Sequence, residues 1–442
     1  MYRAHFLCQL AFAEYSMDFK KSIYIIRLTF IMLTVFICSG YLTDIHAQDK
    51  NKLEKANDLY KAKRYAEAIP IYEEILDQDL NKSALLKLGR SNRQINNIEA
   101  ALENYKILTQ QPEVKSEYQL EYVELLIING DYLQARKALQ NITTSQTTVN
   151  KIFRLRSMIN NNFDLKPLFE KVALKPFIFN TPLTDENSPF LLEDKMIYTS
   201  DQTQNAKIKN KSGLTGRAYY KVWESGIEDG VFNSPELLSS KVNATNKNTA
   251  NAFLAVDRQY IYYTKNDNIK DRKGFYNMQL YKSEIKNGKY GKAEKLALNS
   301  SEYNFMHPCI SKDGNTLLYV SDRPGEGGTD IFISRRVKNG WSRGENLGIN
   351  INTMANEGYP YLDKDGNLYF CSKGHSGLGG YDIFIAKKMK GTTWDKPINL
   401  GRPFNSQHDD ISIFMKECGK EGAFTSSRNG SDDIFLFHIE SN

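Results

Sequence analysis

One phrase recurs three times between Ser301 and Leu436, and its fixed period limits that part of the chain to a ring or a stack of like units. The first copy runs from Pro308 through Asp313-Gly314-Asn315, Leu317-Leu318-Tyr319-Val320-Ser321, a Gly-rich turn and Asp330-Ile331-Phe332-Ile333 to Trp341 and Asn346-Leu347-Gly348. The second repeats it through Pro360, Asp365-Gly366-Asn367, Leu368–Ser372, Asp382-Ile383-Phe384-Ile385, Trp394 and Asn399-Leu400-Gly401. A third gives His408-Asp409-Asp410, Gly422–Arg428 and Asp433-Ile434-Phe435-Leu436. Asp330, Asp382 and Asp433 stand 52 and 51 residues apart and, with Trp341 and Trp394, form the structural signature of the repeat.

Runs rich in Ile, Phe, Tyr and Val, broken by Asp-Gly and Gly-Gly pairs, read as hairpin-connected strands. Each unit is therefore a small antiparallel sheet that needs neighbours on both faces, which predicts a β-propeller. Weaker copies, at Ile261–Thr264 with Leu280–Ser283 and at Met196–Ser200 with Tyr219–Trp223, bring the count to five blades over residues 169–442. The fifth has no aromatic-and-Leu outer strand after Asp433. An unpaired edge invites association, so the segment 169–174 is expected to supply that strand and close the ring.

Upstream the pattern is helical. Ala68, Ala101 and Ala135 recur at 33 and 34 residues, with Tyr72 and Tyr105 at matching places, as in three tetratricopeptide repeats over 48–145. A capping helix around Val149–Asn160 and a linker, interrupted by Asn160-Asn161-Asn162 and Pro167, fill 146–168. The fold class is thus multidomain, α followed by all-β. Residues 1–47 read as an export signal with a surplus leader: Met17, Lys20-Lys21 and Arg27 precede the eleven-residue apolar run Leu28–Cys38, and cleavage is expected after Ala47. That run is too short to span a bilayer, so no transmembrane segment is expected in the mature chain. Cys38 as a lipid-attachment site is disfavoured by Ile37 before it.

The chemistry-bearing residues point mostly to structure. Cys309, Cys371 and Cys418 read as buried free thiols. His307 and His408 precede innermost strands and could line the channel, but no paired ligand spacing accompanies them. Asp363–Asn367 lacks the distant Glu of a calcium loop. Neither a cofactor nor a metal is expected. Arg323, Lys373 and Arg428 are expected to pair with Asp330, Asp382 and Asp433 across the hairpins, and the polar insertion 202–214 to be a mobile surface loop. A net charge of +6 over 442 residues gives no licence for nucleic acid as a partner. In the helical module Asn57, Lys61, Arg90 and Arg93 share the groove register, and suit an acidic or carboxylate-ended partner segment. Carboxylates at the strand starts, Glu302, Glu357, Asp409 and Asp410, read as loop anchors, with a propeller hydrolase acting on envelope glycans or peptides as the alternative.

The stretch 365–401, with Asp-Gly-Asn, Leu-Tyr-Phe-Cys-Ser and Gly-Leu-Gly-Gly-Tyr-Asp-Ile-Phe, resembles the TolB-type WD-like propeller repeat of Bacteroidetes envelope proteins. Together with the helical repeats it resembles the OmpA-family, PorE-like proteins associated with type IX secretion. The resemblance implies a non-catalytic scaffold in the periplasm or at the periplasmic face of the outer membrane, with envelope or secretion-machinery proteins as partners. It departs from the family in lacking the OmpA-like segment Asn-x-x-Leu-Ser-x-x-Arg-Ala, so direct peptidoglycan binding is not implied.

Overall fold

A computed structural model describes residues 51–143, 148–203, 211–391 and 393–440. The export signal expected over 1–47 lies outside them. Seven described helices come first: α1 (51–61), α2 (Tyr65–Leu76), α3 (Lys82–Gln94), α4 (Ile98–Thr109), α5 (Ser116–Ile128), α6 (Tyr132–Gln140) and α7 (Val149–Asp164). Side-chain caps set three of their starts: Asn81, Asn97 and Asp131 accept from the amides of Ala84, Ala100 and Gln134 at 3.0, 3.4 and 3.1 Å. Ala68, Ala101 and Ala135 are fully buried. Gly89 on α3 lies so close to α4 that a Cβ there would stand 2.8 Å from the Tyr105 ring. The small residues of the 33-residue period are thus where helices approach most closely. The helix α7 packs on α5 and α6 and runs through the three asparagines expected to interrupt it. The following chain is tied to blade four by the Leu168 amide donating to Leu400 O at 2.9 Å, so no free hinge separates the modules.

The rest is a five-bladed β-propeller. The strand β1 (Val172–Pro176) precedes blade one, which comprises β2 (Glu186–Leu191), β3 (Lys195–Ser200), β4 (Lys221–Glu228) and the short outer pieces β5 (Val231–Phe232) and β6 (Glu236–Leu237). Blade two has β7 (Thr249–Leu254), β8 (Tyr260–Asn266), β9 (Met278–Lys286), β10 (Lys289–Tyr290) and β11 (Glu294–Lys295). Blade three has β12 (Phe305–Ile310), β13 (Thr316–Ser321), β14 (Asp330–Val337), β15 (Gly340–Trp341) and β16 (Glu345–Asn346). Blade four has β17 (Glu357–Leu362), β18 (Leu368–Ser372), β19 (Asp382–Ala386) and β20 (Ile398–Asn399). Blade five has β21 (Asp410–Met415), β22 (Glu421–Ser426) and β23 (Asp433–Ile439). In blades one to three the outer strand is broken into two short pieces rather than being one continuous strand.

Blade five takes its fourth strand from upstream. β1 runs antiparallel to β23 from Val172 opposite Ile439 to Pro176 opposite Phe435. The closing strand is thus Val172–Pro176 rather than 169–174. Phe169 packs edge-on against Phe404 at 5.8 Å instead, so its apolar character serves the ring interior and not the strand. The sheet cores lie between blades, where Tyr198, Tyr263, Tyr319, Phe370 and Phe424 are each at most 1% exposed.

Two side-chain patterns repeat around the ring. Asn180, Asn243, Asn299, Asn352 and Asn405 each clamp one residue of a third strand through both its amide and its carbonyl, at 2.8–3.0 Å. The clamp on blade five comes from Asn180, upstream of blade one. The signature aspartates do not meet the basic residues expected of them. Asp330 accepts from the Glu326 amide at 2.6 Å and Asp382 from the Leu378 amide at 2.5 Å, each closing its own Gly-rich turn. Asp433 is held by Asn429 at 2.8 Å. The glycines are needed there because a Cβ at Gly325 or Gly377 would fall 1.9 or 1.5 Å from that carboxylate. Arg323 instead covers the Phe332 ring at 3.8 Å, Lys373 pairs with Asp409 at 3.1 Å and Arg428 with Asp410 at 2.9 Å. Trp394 is anchored by donating to Gly366 O at 3.0 Å, and Trp341 stacks under Arg336.

Candidate functional site

The third residue of every innermost strand has left-handed backbone: Ser188, Asn251, His307, Tyr359 and Ser412, with φ of 50–55°. Each sits at a register shift against the second strand, a bulge that turns its side chain and amide toward the axis. Four of the amides find a hydroxyl or thiol on the second strand of the preceding blade. Ser188 donates to Thr425, Asn251 to Thr199 and His307 to Thr264, at 3.2, 2.9 and 3.1 Å, and Ser412 to Cys371. Blade three has Val320 at that place, which cannot accept. The Tyr359 amide turns to His307 Nδ1 at 3.2 Å, and the two rings stack at 3.8 Å. His307 is therefore a neutral acceptor, and burial pushes it down to about 3. The axial space left here is a cavity of ≈ 50 Å³. Cys309 and Cys371 are buried thiols, Cys309 pushed up to about 12, while Cys418 is exposed, unlike the expectation for it.

At the strand starts a second ring stabilises the mouth. Asp185, Asn248, Asn304, Asn356 and Asp409 accept from the amides of Asp432, Tyr220, Met278, Thr329 and Tyr381 at 2.7–3.2 Å. One residue further in, the carboxylates of Glu357 and Asp410 are fully buried. Glu357 accepts from the Thr353 amide and hydroxyl and from Ser372 at 2.6–2.7 Å, and Asp410 from Ser406 and Arg428. Glu302 lies outside this set, beside Arg272 at 3.6 Å.

The helical module covers this mouth. Arg154 donates to Lys373 O, Ser157 and Ser376 hydroxyls meet at 2.6 Å, and Asn96 donates to Gly430 O at 2.7 Å. From blade one, the described end of the polar insertion is packed rather than free: a Cβ at Gly213 would come within 2.9 Å of Arg64 Cγ. Residues 204–210 of that insertion lie outside the described set. Between helices and mouth is a polar cavity of ≈ 280 Å³, lined by Arg93, Asn96, Asp185, Arg217, Tyr220, Lys373, His408, Asp409 and Asp432 among others. Arg217 reaches both Asp185 and Asp201, the latter at 2.8 Å. Burial pushes Asp201 up to about 6 against the pull of Arg217. Burial, with Asp185 and Asp409 nearby, holds Asp432 well above the usual carboxylate range. Burial also disfavours the charge on Asp409, but Lys373, the Tyr381 amide and Arg93 together outweigh it and the group lies below that range. One cavity thus holds two carboxyls whose surroundings push them in opposite directions.

The groove residues read from the sequence do not meet one another but are engaged by other side chains of the helical module. Asn57 accepts from Lys87 at 2.6 Å and from the Tyr72 hydroxyl at 3.0 Å. Arg90 forms a forked pair with Glu121 at 2.6 and 2.9 Å, and Arg93 binds Glu124 at 2.9 Å. Lys61 remains at the surface beside Asp58 at 3.3 Å. Glu124 is the hub, joined also by Lys151 and Arg154. Its burial raises it, but Arg93, Lys151 and Arg154 more than reverse this and bring it to about 2. Sequence reasoning missed Glu121 and Glu124; their only signal is a spacing of 31 residues from Arg90 and Arg93.

No family model matches the chain, and no curated protein matches it either. Solved structures match the chain at low similarity. A glycoside hydrolase matches with 10% identity and a TM-score of 0.42 over 68% of this chain and 97% of its own. A puromycin-hydrolysing peptidase of Mycobacterium tuberculosis matches with 11% identity and a TM-score of 0.33 over 55% of this chain, which spans only 43% of the peptidase. Trypanosoma rangeli sialidase matches with 11% identity and a TM-score of 0.34 over 62% and 58%. Likeness at this level assigns no chemistry. Among the described residues no helix is long and apolar enough to cross a membrane.

Proposed function

We propose that this chain is a non-catalytic envelope scaffold, exported and acting at the periplasmic side of the outer membrane, that joins proteins through its helical groove and its propeller. The observation that carries the reading is the covered mouth: α7 and the turn between α3 and α4 sit on the propeller end where the strand-start carboxylates converge, and Glu357 and Asp410 are fully engaged as anchors. The tetratricopeptide reading of the helices is supported by the buried small residues at the repeat period and by α1, α3 and α5 lying along one wall, bridged by Lys87, Arg90 and Arg93. Because Arg90 and Arg93 already bind carboxylates, an acidic partner segment would engage the wall by competing with Glu121 and Glu124 or by adding to Lys61. Secretion-machinery proteins are the partners the sequence resemblance favours.

The second reading, hydrolysis of an envelope glycan or peptide, is favoured by one observation, the unlike carboxyls Asp432 and Asp409 in one cavity. A screen of glycoside and peptide substrates separates the two. The scaffold reading expects no turnover, with Glu357→Gln lowering stability and Asp409→Asn leaving partner co-isolation from crosslinked envelopes intact. Turnover abolished by both Asp409→Asn and Asp432→Asn in folded protein would overturn it.

A further inference from the structure

Among the described residues, no helix lines the opposite end of the propeller. There the innermost strands turn back, and a bowl of ≈ 330 Å³ opens on the axis. Its floor is made by the fifth residue of the innermost strands: Phe190, Phe253, Tyr361 and Phe414. These rings touch in a row, Phe253 to Phe190 at 4.8 Å, Phe190 to Phe414 at 4.6 Å and Phe414 to Tyr361 at 5.1 Å. Blade three carries Cys309 at this position, so the row of rings is an arc and not a closed plug. The Tyr361 hydroxyl is satisfied by donating to Met415 O at 2.6 Å.

The collar is charged. Its carboxylates are committed: Glu193 to Lys416 at 3.3 Å, Glu417 to Lys312 at 2.7 Å, and Asp363 to the Asp365 and Asn367 amides of its own turn at 2.9 and 2.8 Å. Lys364 is the collar cation with capacity to spare, since its ion-pair partner is Asp365 at 3.8 Å and its side chain is 48% exposed. An apolar aromatic floor favours a flat ring, which gains from edge and offset contacts beyond its buried area. A lysine at the lip favours an anion beside that ring. A ring with an adjacent carboxylate is what a polypeptide presents at a C-terminal Phe, Tyr or Trp.

We propose that this bowl binds the C-terminal aromatic residue of a partner polypeptide, its ring on Phe253 and Phe414 and its α-carboxylate on Lys364. This inference does not depend on the helical groove and fails separately from it.

The probe is a fluorescein-labelled Gly-Ser-Gly-Ser-Phe peptide titrated with the full chain and read by fluorescence anisotropy. The free acid should bind at least about tenfold more tightly than its C-terminal amide, weaken with added salt, and outcompete the Ser-ending acid. Ala255→Trp, which fills the bowl from its wall, should abolish binding, and Lys364→Glu should weaken it about tenfold, both with unchanged circular dichroism and thermal midpoint. Equal affinity for acid and amide, or binding indifferent to Ala255→Trp, would overturn the proposal. So would competition by a methyl glucoside in place of the peptide, or a concentration-dependent dimer that Ala255→Trp dissolves, which would make a sugar or a second copy the occupant.

Discussion

His307 shows how a single side chain repairs a gap in a repeat. Because Val320 cannot accept from the Tyr359 amide, the imidazole does so, and only its neutral form can. His307→Leu leaves that amide unpaired and should cost roughly 1–3 kcal/mol in urea denaturation, whereas the same change at the surface His438 should be silent. Glu124 acts in the same sense on pH as His307, since both are held below their ordinary values in the fold. Its folded value of about 2 is below the unfolded one, so its contribution is complete above about 4.5 and lost as pH falls toward 2. That contribution is roughly 2–3 kcal/mol, and Glu124→Gln should flatten the acid limb of a thermal-midpoint profile between pH 4.5 and 2. The sequence places His307 just ahead of an innermost strand, as a residue that could line the channel, whereas it lies within that strand, the third residue of β12. The sequence could not reveal the ion pairs. Arg323, Lys373 and Arg428 precede the signature aspartates in sequence, but the turns bring the Glu326 and Leu378 amides and the Asn429 side chain to those carboxylates first, so Arg323 and Arg428 settle on Phe332 and Asp410 of their own blades and Lys373 on Asp409 of the next.

At the scale of elements, the ring depends on a segment more than 250 residues away from the blade it completes. β1 supplies five paired positions to β23, and Asn180 clamps Ile434 through both backbone groups. Asn180→Ala should lower stability by about 1–3 kcal/mol and raise amide exchange across β23 more than across β19, where Asn405 does the same work; uniform loss of protection would speak against a local role in closure. The blades were legible because Asp-Gly turns and alternating apolar runs recur. The closing strand was legible only to within a few residues, because Phe169 shares its apolar character while packing on Phe404. Pro176, which has no amide to donate, ends the strand at the ring's edge. The Asn clamp was hidden because the distance from the preceding Leu or Phe to it varies from three to five residues.

For the molecule as a whole, the decisive feature is the seam between helices and propeller mouth. Its residues come from opposite ends of the chain: Arg154 and Lys373 stand 219 positions apart, as do Ser157 and Ser376, and no periodicity in either module announces that they meet. The seam turns a propeller mouth into an internal cavity, and the groove wall and the aromatic bowl are the surfaces proposed for recognition. A reversible lock tests this directly. Ser157→Cys with Ser376→Cys, in a Cys418→Ser background, replaces hydroxyls 2.6 Å apart with thiols. The account predicts that a disulfide forms under mild oxidation and that the locked protein co-isolates its envelope partners as well as the reduced one does. Failure of the two thiols to join, or a function lost on oxidation and restored by reduction, would contradict it.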